Sequence, residues 1–523
     1  MLVDVEKTPI VLERDLRVPM RDGVTLLANL FRPRSDEPHA VIISVTPYGK
    51  DKLQDRLTMF FMRLSGVRFG RLHYSRLTGF ESPDPAWWVR EGYAVLQADV
   101  RGMHKSEGRA GVLRIQDAED YFDLIEWAAL QAWCTGRVGL IGVSYLAMSQ
   151  WRVAALRPPH LRAMVPWEGV TDLYREFAFH GGIPETKFVP TWFNVRIRRG
   201  RNRKFPLAED FLQEREHHPL DDEYWAGKRA ALEDIEAPAL VCASWSDHGL
   251  HSRGSIEAFE RISSRQKWLF THGRKKWETF YSDEALAWQK RFLDHFLRGV
   301  DNGQERVPQV RLEVRKAYYR QAVRYEETWP LASIQPTRLY LDAGAGAMQQ
   351  MPVPSIANVR YRATRRRSKA SFSFRFDHAT ELIGGMRLKL WISTSEGDDL
   401  DLFIVIRKLD GTNRKSCFPV TTDTNAMPWP KDGCEPHIGN WTSFAALRFD
   451  HGIRITESAI CVLTRLRRWR SRSGRRPRSS RRVLFCRSSF TAAMPQPTRP
   501  SAIGSPSIAA GTRFSRVGTT IRI

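Results

Sequence analysis

No apolar run in this 523-residue chain reaches the roughly 20 residues that a membrane span requires, so a spanning helix is not expected. Cysteine is sparse. Cys134, Cys242, Cys417, Cys434, Cys461 and Cys486 lie far apart with no CxxC pair, which argues against both a zinc site and a disulfide framework. The opening stretch MLVDVEKTPIVLERDLRVPM has acidic residues scattered through its only apolar part, so no secretory signal is expected and the cytoplasm is the default compartment. Acidic residues are also missing from the far end. From Cys461 onward there are 15 Arg and no Lys, Asp or Glu, and subtracting them from the net charge of +23 leaves +8 for the first 460 residues. A charge of that size would ordinarily point to an anionic partner such as nucleic acid. Here it belongs largely to the tail, so a nucleic-acid partner is the lesser expectation.

What is present, 42% hydrophobic and 11% aromatic residues, is ordinary for a folded protein with a sizeable core. From Ala40 to about Gly299, strand-like runs alternate with helical patterns: AVIISV, YAVLQA, VGLIGV, AMVPW, PALVCA and KWLFT. This is the pattern of an α/β domain. Residues 172–234 break it with mostly polar helical sequence, which reads as a helical cap inserted between sheet strands. The expected division is therefore 1–171 and 235–306 for the α/β domain, with the cap between them. Past Val307 the alternation in MRLKLWI and LDLFIVI and the Asp410-Gly411 hairpin signal predict an antiparallel β domain over 307–455, most simply a sandwich. An Arg- and Ser-rich tail follows over 456–523.

The stretch VGLIGVSYLAMSQW carries the first chemical signal. A buried strand ends at Val143, Ser144 occupies the turn, and Ala147, Met148 and Trp151 begin a helical face. That context presents a serine hydroxyl at the top of a sheet beside the first N–H groups of a helix. Two further groups fall past other strands: Asp247 after PALVCA and His272 at the end of KWLFT. Serine, aspartate and histidine in that order suit nucleophilic catalysis, because a serine hydroxyl needs a base and the imidazole needs an orienting carboxylate. Ser144 is assigned as nucleophile, His272 as general acid and base, Asp247 as orienter. His248 and His251 share the loop of Asp247 and are expected to be solvated. His295 lies in a helical pattern, and Asp99 precedes the serine. The backbone N–H of Tyr145 and the phenol of Tyr48 are the candidate oxyanion donors. Trp167, Trp192 and Phe193 are candidates for the acyl pocket, with packing of cap on sheet as the alternative. No metal or organic cofactor is expected.

TPYGK, WWVREGYAVLQADVRGMHKSEG, AWCTGRVGLIGVSYLAMSQW and ASWSDHG together resemble the CocE/NonD hydrolases, the cocaine-esterase-like acyl esterases grouped with Xaa-Pro dipeptidyl-peptidases as peptidase family S15. The resemblance runs from about residue 10 to about 430. It implies an α/β-hydrolase domain, an inserted helical cap and a C-terminal jelly-roll β domain. It also implies Ser144 as nucleophile, Asp247 as the acid of a Trp-x-Asp segment, and Tyr48 as the oxyanion tyrosine. Two departures stand out. His272 lies in FTHGRKKW, where the family has a histidine after Gly-Pro-Trp, and Ala147 stands where glycine is common. The implied substrate is a small carboxylic ester or amide, cleaved by an esterase or, alternatively, by a Xaa-Pro dipeptidyl-peptidase-like enzyme. The resemblance also implies further jelly-roll strands beyond Cys461, where the sequence is Arg-, Ser- and Pro-rich. A frameshift between roughly 425 and 461 is the expectation there.

Overall fold

The computed structural model describes residues 2–5, 8–53, 72–247, 249–317, 320–362, 368–386 and 388–393. Beyond these it describes residues 404, 406, 408 and 409 and short strands at 458–461, 463–464, 483–488 and 519–522. Its centre is an 11-stranded sheet. The strands are β1 (Leu2–Val5), β2 (Thr8–Pro19), β3 (Thr25–Pro33), β4 (His39–Thr46), β5 (Ala94–Asp99) and β6 (Cys134–Val143), then β7 (Leu161–Trp167), β8 (Ala239–Ser244), β9 (Lys267–His272), β10 (Val310–Ala317) and β11 (Arg320–Glu326). They lie in the order β1-β2-β3-β5-β4-β6-β7-β8-β9-β10-β11. From β5 to β10 every neighbour is parallel, whereas β1 to β3 and β11 join antiparallel.

Both faces of the parallel strands are covered, which is why they read as unbroken apolar runs. Alternate residues serve opposite layers: Val41, Ile43 and Val45 of β4 enter one core, Ala40 and Ile42 the other. Helices α1 (Pro85–Arg90) and α5 (Asp283–Arg298) cover the second core. Helices α2 (Ile115–Ala129), α3 (Tyr145–Ala154) and α4 (Ser252–Arg261) cover the first. In α5, Ser282 caps the N-terminus by accepting from the Ala285 N–H, and Gly299 at φ 69° closes the C-terminus.

Between β7 and β8 the chain forms short helices and two π-helical turns, Tyr174–Ala178 and Phe193–Arg198. An aromatic cluster that includes Phe177, Phe211 and Trp225 consolidates this layer. Arg175 and Arg229 clasp Asp172 and Asp221 beside it. Past position 306, where the sequence reading starts a separate β domain, β10 and β11 instead extend the hydrolase sheet, because Leu269 and Phe270 of β9 pair in parallel with Val310 and Arg311. Further on, Leu388–Ser393 pairs with Val483–Ser488 and Thr519–Arg522, and Ile383–Met386 with Ser458–Cys461. Most of LDLFIVI, the Asp410-Gly411 turn and most of the tail lie outside the described residues, and with them the jelly-roll connectivity. Among the described residues no helix is long and apolar enough to cross a membrane.

Candidate active site

Ser144 sits between β6 and α3 with φ 60° and ψ −116°, a left-handed conformation that costs a non-glycine residue about 1–3 kcal/mol. Both sides of the turn are pinned. The Val143 N–H donates to the Glu81 carbonyl at 3.1 Å and the Ser144 N–H to the Trp167 carbonyl at 3.0 Å. Small residues make the turn possible: a Cβ on Gly142 would lie 2.3 Å from the Leu146 Cβ. The Ala147 methyl is accommodated by Gly169, whose own Cβ would fall 3.0 Å from it and 2.7 Å from the Trp151 Nε1.

The histidine facing Ser144 is His251. Its Nε2 lies 3.0 Å from the Ser144 Oγ, and its Nδ1 lies 2.5 Å from the Asp247 Oδ2. A carboxylate only accepts, so the proton sits on Nδ1 and Nε2 is free to take the serine proton. All three side chains are buried. The loop after β8 winds into one helical turn in which the N–H groups of Leu250, His251 and Ser252 all point to the Asp247 carbonyl. Residues four apart lie on the same side of such a turn, which brings imidazole and carboxylate together. The spacing Asp-x-x-x-His was the available signal; the expectation that this histidine is solvated obscured it.

His272 does not face the serine, and the assignment of it as base is corrected by this geometry. It is still within the sheet, in register with Ser244 of β8, and its ring stacks on Trp167 at 6.0 Å. Its Nδ1 lies 3.4 Å from the Arg274 N–H and 3.1 Å from the Thr279 Oγ1, and its Nε2 lies 2.9 Å from the buried Glu168 carboxylate. Burial lowers its pKa to about 4. His248 lies outside the described residues, and His295 is on α5 near Glu305.

Asp247 is held well below the usual carboxylate range. Burial alone would raise it, but the His251 imidazole and then the Lys276 and Lys275 ammonium groups outweigh that. Lys276 is itself buried, with Nζ 3.9 Å from the Asp247 Oδ2 and 3.3 Å from the Glu81 carboxylate, which also accepts from the Trp277 indole at 3.2 Å. No local sequence pattern marks this ion network. Glu168, Asp247 and His251 also bring three potential metal-ligand atoms within 4.8 Å of one another, but two of these residues already bind each other.

Tyr48 lies past β4, its ring 6.4 Å from Tyr145 and its hydroxyl 3.4 Å from the Trp192 Nε1. Burial, then the Glu81 charge, raises its pKa, so it remains a hydroxyl donor. Tyr145 opens α3, where first-turn N–H groups have no partner within the helix. Of the three pocket candidates, Trp192 reaches the site and stacks on Tyr145 at 6.2 Å. Trp167 is enclosed by Phe270, Phe280 and His272, and Phe193 packs on Phe211.

A mostly parallel sheet sandwiched by helices, with a serine on a strained strand-to-helix turn facing a histidine held by an aspartate, defines an α/β hydrolase. Two family models match the chain: X-Pro dipeptidyl-peptidase (S15 family) over residues 22–275, and X-Pro dipeptidyl-peptidase C-terminal non-catalytic domain over 302–460. A crystal structure of a CocE/NonD family hydrolase from Staphylococcus aureus is 40% identical, with a TM-score of 0.77 over 81% of this chain and 76% of that one. The chain belongs to this family of CocE/NonD, S15-type hydrolases. Cocaine esterase from Rhodococcus sp. is 30% identical over 64% of this chain, which spans 62% of the length of that relative. An aminopeptidase from a Thaumarchaeota archaeon, 16% identical with a TM-score of 0.53 over 74% of this chain and 76% of that one, shares the fold.

Proposed function

We propose that the protein is a serine esterase that cleaves small carboxylic esters through an acyl-enzyme. The observation that carries this reading is the buried line from the Ser144 Oγ through His251 to Asp247, with contacts of 3.0 and 2.5 Å. In the first half-reaction His251 Nε2 takes the hydroxyl proton as Oγ bonds to the ester carbonyl carbon. The resulting oxyanion is met by the Tyr48 O–H and the Tyr145 N–H. The bond to the leaving alcohol breaks as His251 returns the proton to it, leaving an acyl-serine. Water, deprotonated by the same nitrogen, then attacks the acyl carbon, and collapse frees the acid and restores Ser144. None of these steps uses a cofactor. Two buried free thiols, Cys134 and Cys242, suit a reducing compartment, and we place the enzyme in the cytoplasm.

A dipeptidyl-peptidase would need spare carboxylates to hold a substrate ammonium group. Three carboxylates of the cap layer are already engaged. Glu185 accepts the N–H groups of Lys187, Phe188 and Val189, Asp210 pairs with Arg198, and Glu209 with Lys228. That favours the ester. The test is a fluorophosphonate probe, followed by p-nitrophenyl esters alongside dipeptidyl-proline amides. Labelling of the wild type but not of Ser144→Ala, with ester turnover exceeding amide turnover, is expected. Equal labelling of both proteins removes Ser144 as nucleophile, and faster amide cleavage reinstates the peptidase.

A further inference from the structure

Residues 196–204 read RIRRGRNRK, six basic residues in nine with no acidic one. Only Arg198 among them forms an ion pair within the described residues, to Asp210. The segment is fastened to the loop after β5: the His104 N–H donates to the Gly200 carbonyl at 2.8 Å, the Asn202 N–H to the Gly102 carbonyl at 2.7 Å, and Met103 bridges to Arg201. The close fit at Gly200, where a Cβ would meet the Met103 Cε at 2.9 Å, keeps it there. That loop adjoins the oxyanion side of the site, since the His104 ring reaches the Pro47 carbonyl next to Tyr48 at 3.1 Å.

Arg196 is the member that turns toward the site. Its guanidinium lies 5.6 Å from the centre of the Tyr48 ring and 5.3 Å from that of Phe80. It is half-buried, and no carboxylate among the described residues lies within ion-pair distance of it. Stacking on two rings is worth about 0.5–2 kcal/mol and orients the guanidinium, but it leaves the N–H donors unused. A guanidinium fork matches a carboxylate in shape and charge. Arg199, Arg203 and Lys204, exposed on the same segment, add a positive field at the rim that would concentrate anions there.

We infer that the preferred substrates are esters that carry a carboxylate, bound by Arg196 beside the oxyanion tyrosine and drawn in by the basic run 196–204. This inference rests on the esterase reading above. Its test compares kcat/KM for mono-p-nitrophenyl glutarate, which carries the charge on the acyl side, with p-nitrophenyl valerate, and for 4-butyryloxybenzoate, which carries it on the leaving group, with phenyl butyrate. Each ratio is corrected for the uncatalysed rates. At low salt at least one anionic ester is expected to be favoured roughly tenfold or more, the scale of a charge-assisted hydrogen bond. The preference should shrink at 0.5 M salt, fall roughly tenfold in Arg196→Gln, and survive in part in Arg196→Lys. If neutral and anionic esters are cleaved alike, or if Arg196→Gln lowers both equally, the inference is overturned while the esterase reading stands. If no ester is cleaved by a folded protein that the probe fails to label, both fall.

Discussion

Replacing Lys276 by Met removes a buried positive charge from behind the Asp247 carboxylate without removing its hydrocarbon bulk. The Asp247 Oδ2 lies 2.5 Å from the His251 Nδ1 and 3.9 Å from the Lys276 Nζ, so the two cationic centres are at most 6.4 Å apart, the sum of those distances. At an effective dielectric of about 20, unit charges at that separation repel by about 2.6 kcal/mol. A positive charge placed on His251 would meet that repulsion while Lys276 is in place. Converted at about 1.36 kcal/mol per unit, the loss of the ammonium moves the acid limb of kcat/KM upward by about one to two pH units. The direction follows from charge: without Lys276 the imidazolium persists to higher pH, and the base is unavailable until it deprotonates. Glu81→Gln should move the limb the other way, because the ammonium 3.3 Å away then acts unopposed. Profiles of kcat/KM from about pH 5 to 9 on a neutral p-nitrophenyl ester, with Lys276→Arg as the charge-retaining control, read this directly. A folded Lys276→Met enzyme whose limb stays within about 0.2 units of the wild type would refute the electrostatic account.

Four shorter predictions accompany it. His251→Ala should lose roughly 10⁴-fold or more in kcat and resist the fluorophosphonate, whereas His272→Ala should keep labelling in its folded fraction but lose about 2–4 kcal/mol of stability by denaturant titration, because a buried ring stacked on Trp167 gives way to a cavity; the opposite pattern restores His272 as base. Tyr48→Phe should cut kcat by roughly 10²–10³-fold with little change in thermal midpoint, and an unchanged kcat means the phenol is not an oxyanion donor. Gly169→Ala should destabilise by about 1–3 kcal/mol, because the new methyl meets the Trp151 indole at 2.7 Å and Ala147 at 3.0 Å; a neutral result in calorimetry would show that the elbow helix has slack. The C-terminal family match ends at residue 460, next to the start of the Arg-only run, and translating the gene's other two frames beyond that point is expected to yield a continuation rich in strands with ordinary acidic content; its absence ends the frameshift idea.

The parts of the site visible in the sequence were those tied to local pattern. VGLIGV running into a helical face marks Ser144, and the end of PALVCA marks the loop that holds Asp247. Which histidine faces Ser144 was not visible, because choosing among His248, His251 and His272 required knowing which loop is covered, and burial is a property of distant chain segments. The same limit hid Glu168, whose partner His272 is 104 residues away, and the Lys276 and Glu81 pair, which brings the end of β9 against the loop before α1. In the sheet, the parallel strands from β4 to β9 were legible as apolar runs. β1 to β3 carry no comparable unbroken apolar run, although Leu26, Ala28 and Leu30 of β3 alternate toward one core. The membership of β10 in the hydrolase sheet could not be read from its alternation, which is equally that of a strand in a separate sandwich.

Because Asp247 and His251 lie four residues apart in one helical turn, their contact is local in the chain. Contacts between residues four apart form on the timescale of a helix turn, long before strands meet. The joint between Ser144 and His251 is different, since it spans 107 residues and two separate helices. Under mild denaturant, local opening should therefore disconnect the nucleophile from an intact Asp247–His251 couple rather than dismantle the couple itself. Reactivity toward the fluorophosphonate would then fade before tryptophan fluorescence reports global unfolding, which makes the serine probe an early gauge of how firmly the two halves of the sheet are held together.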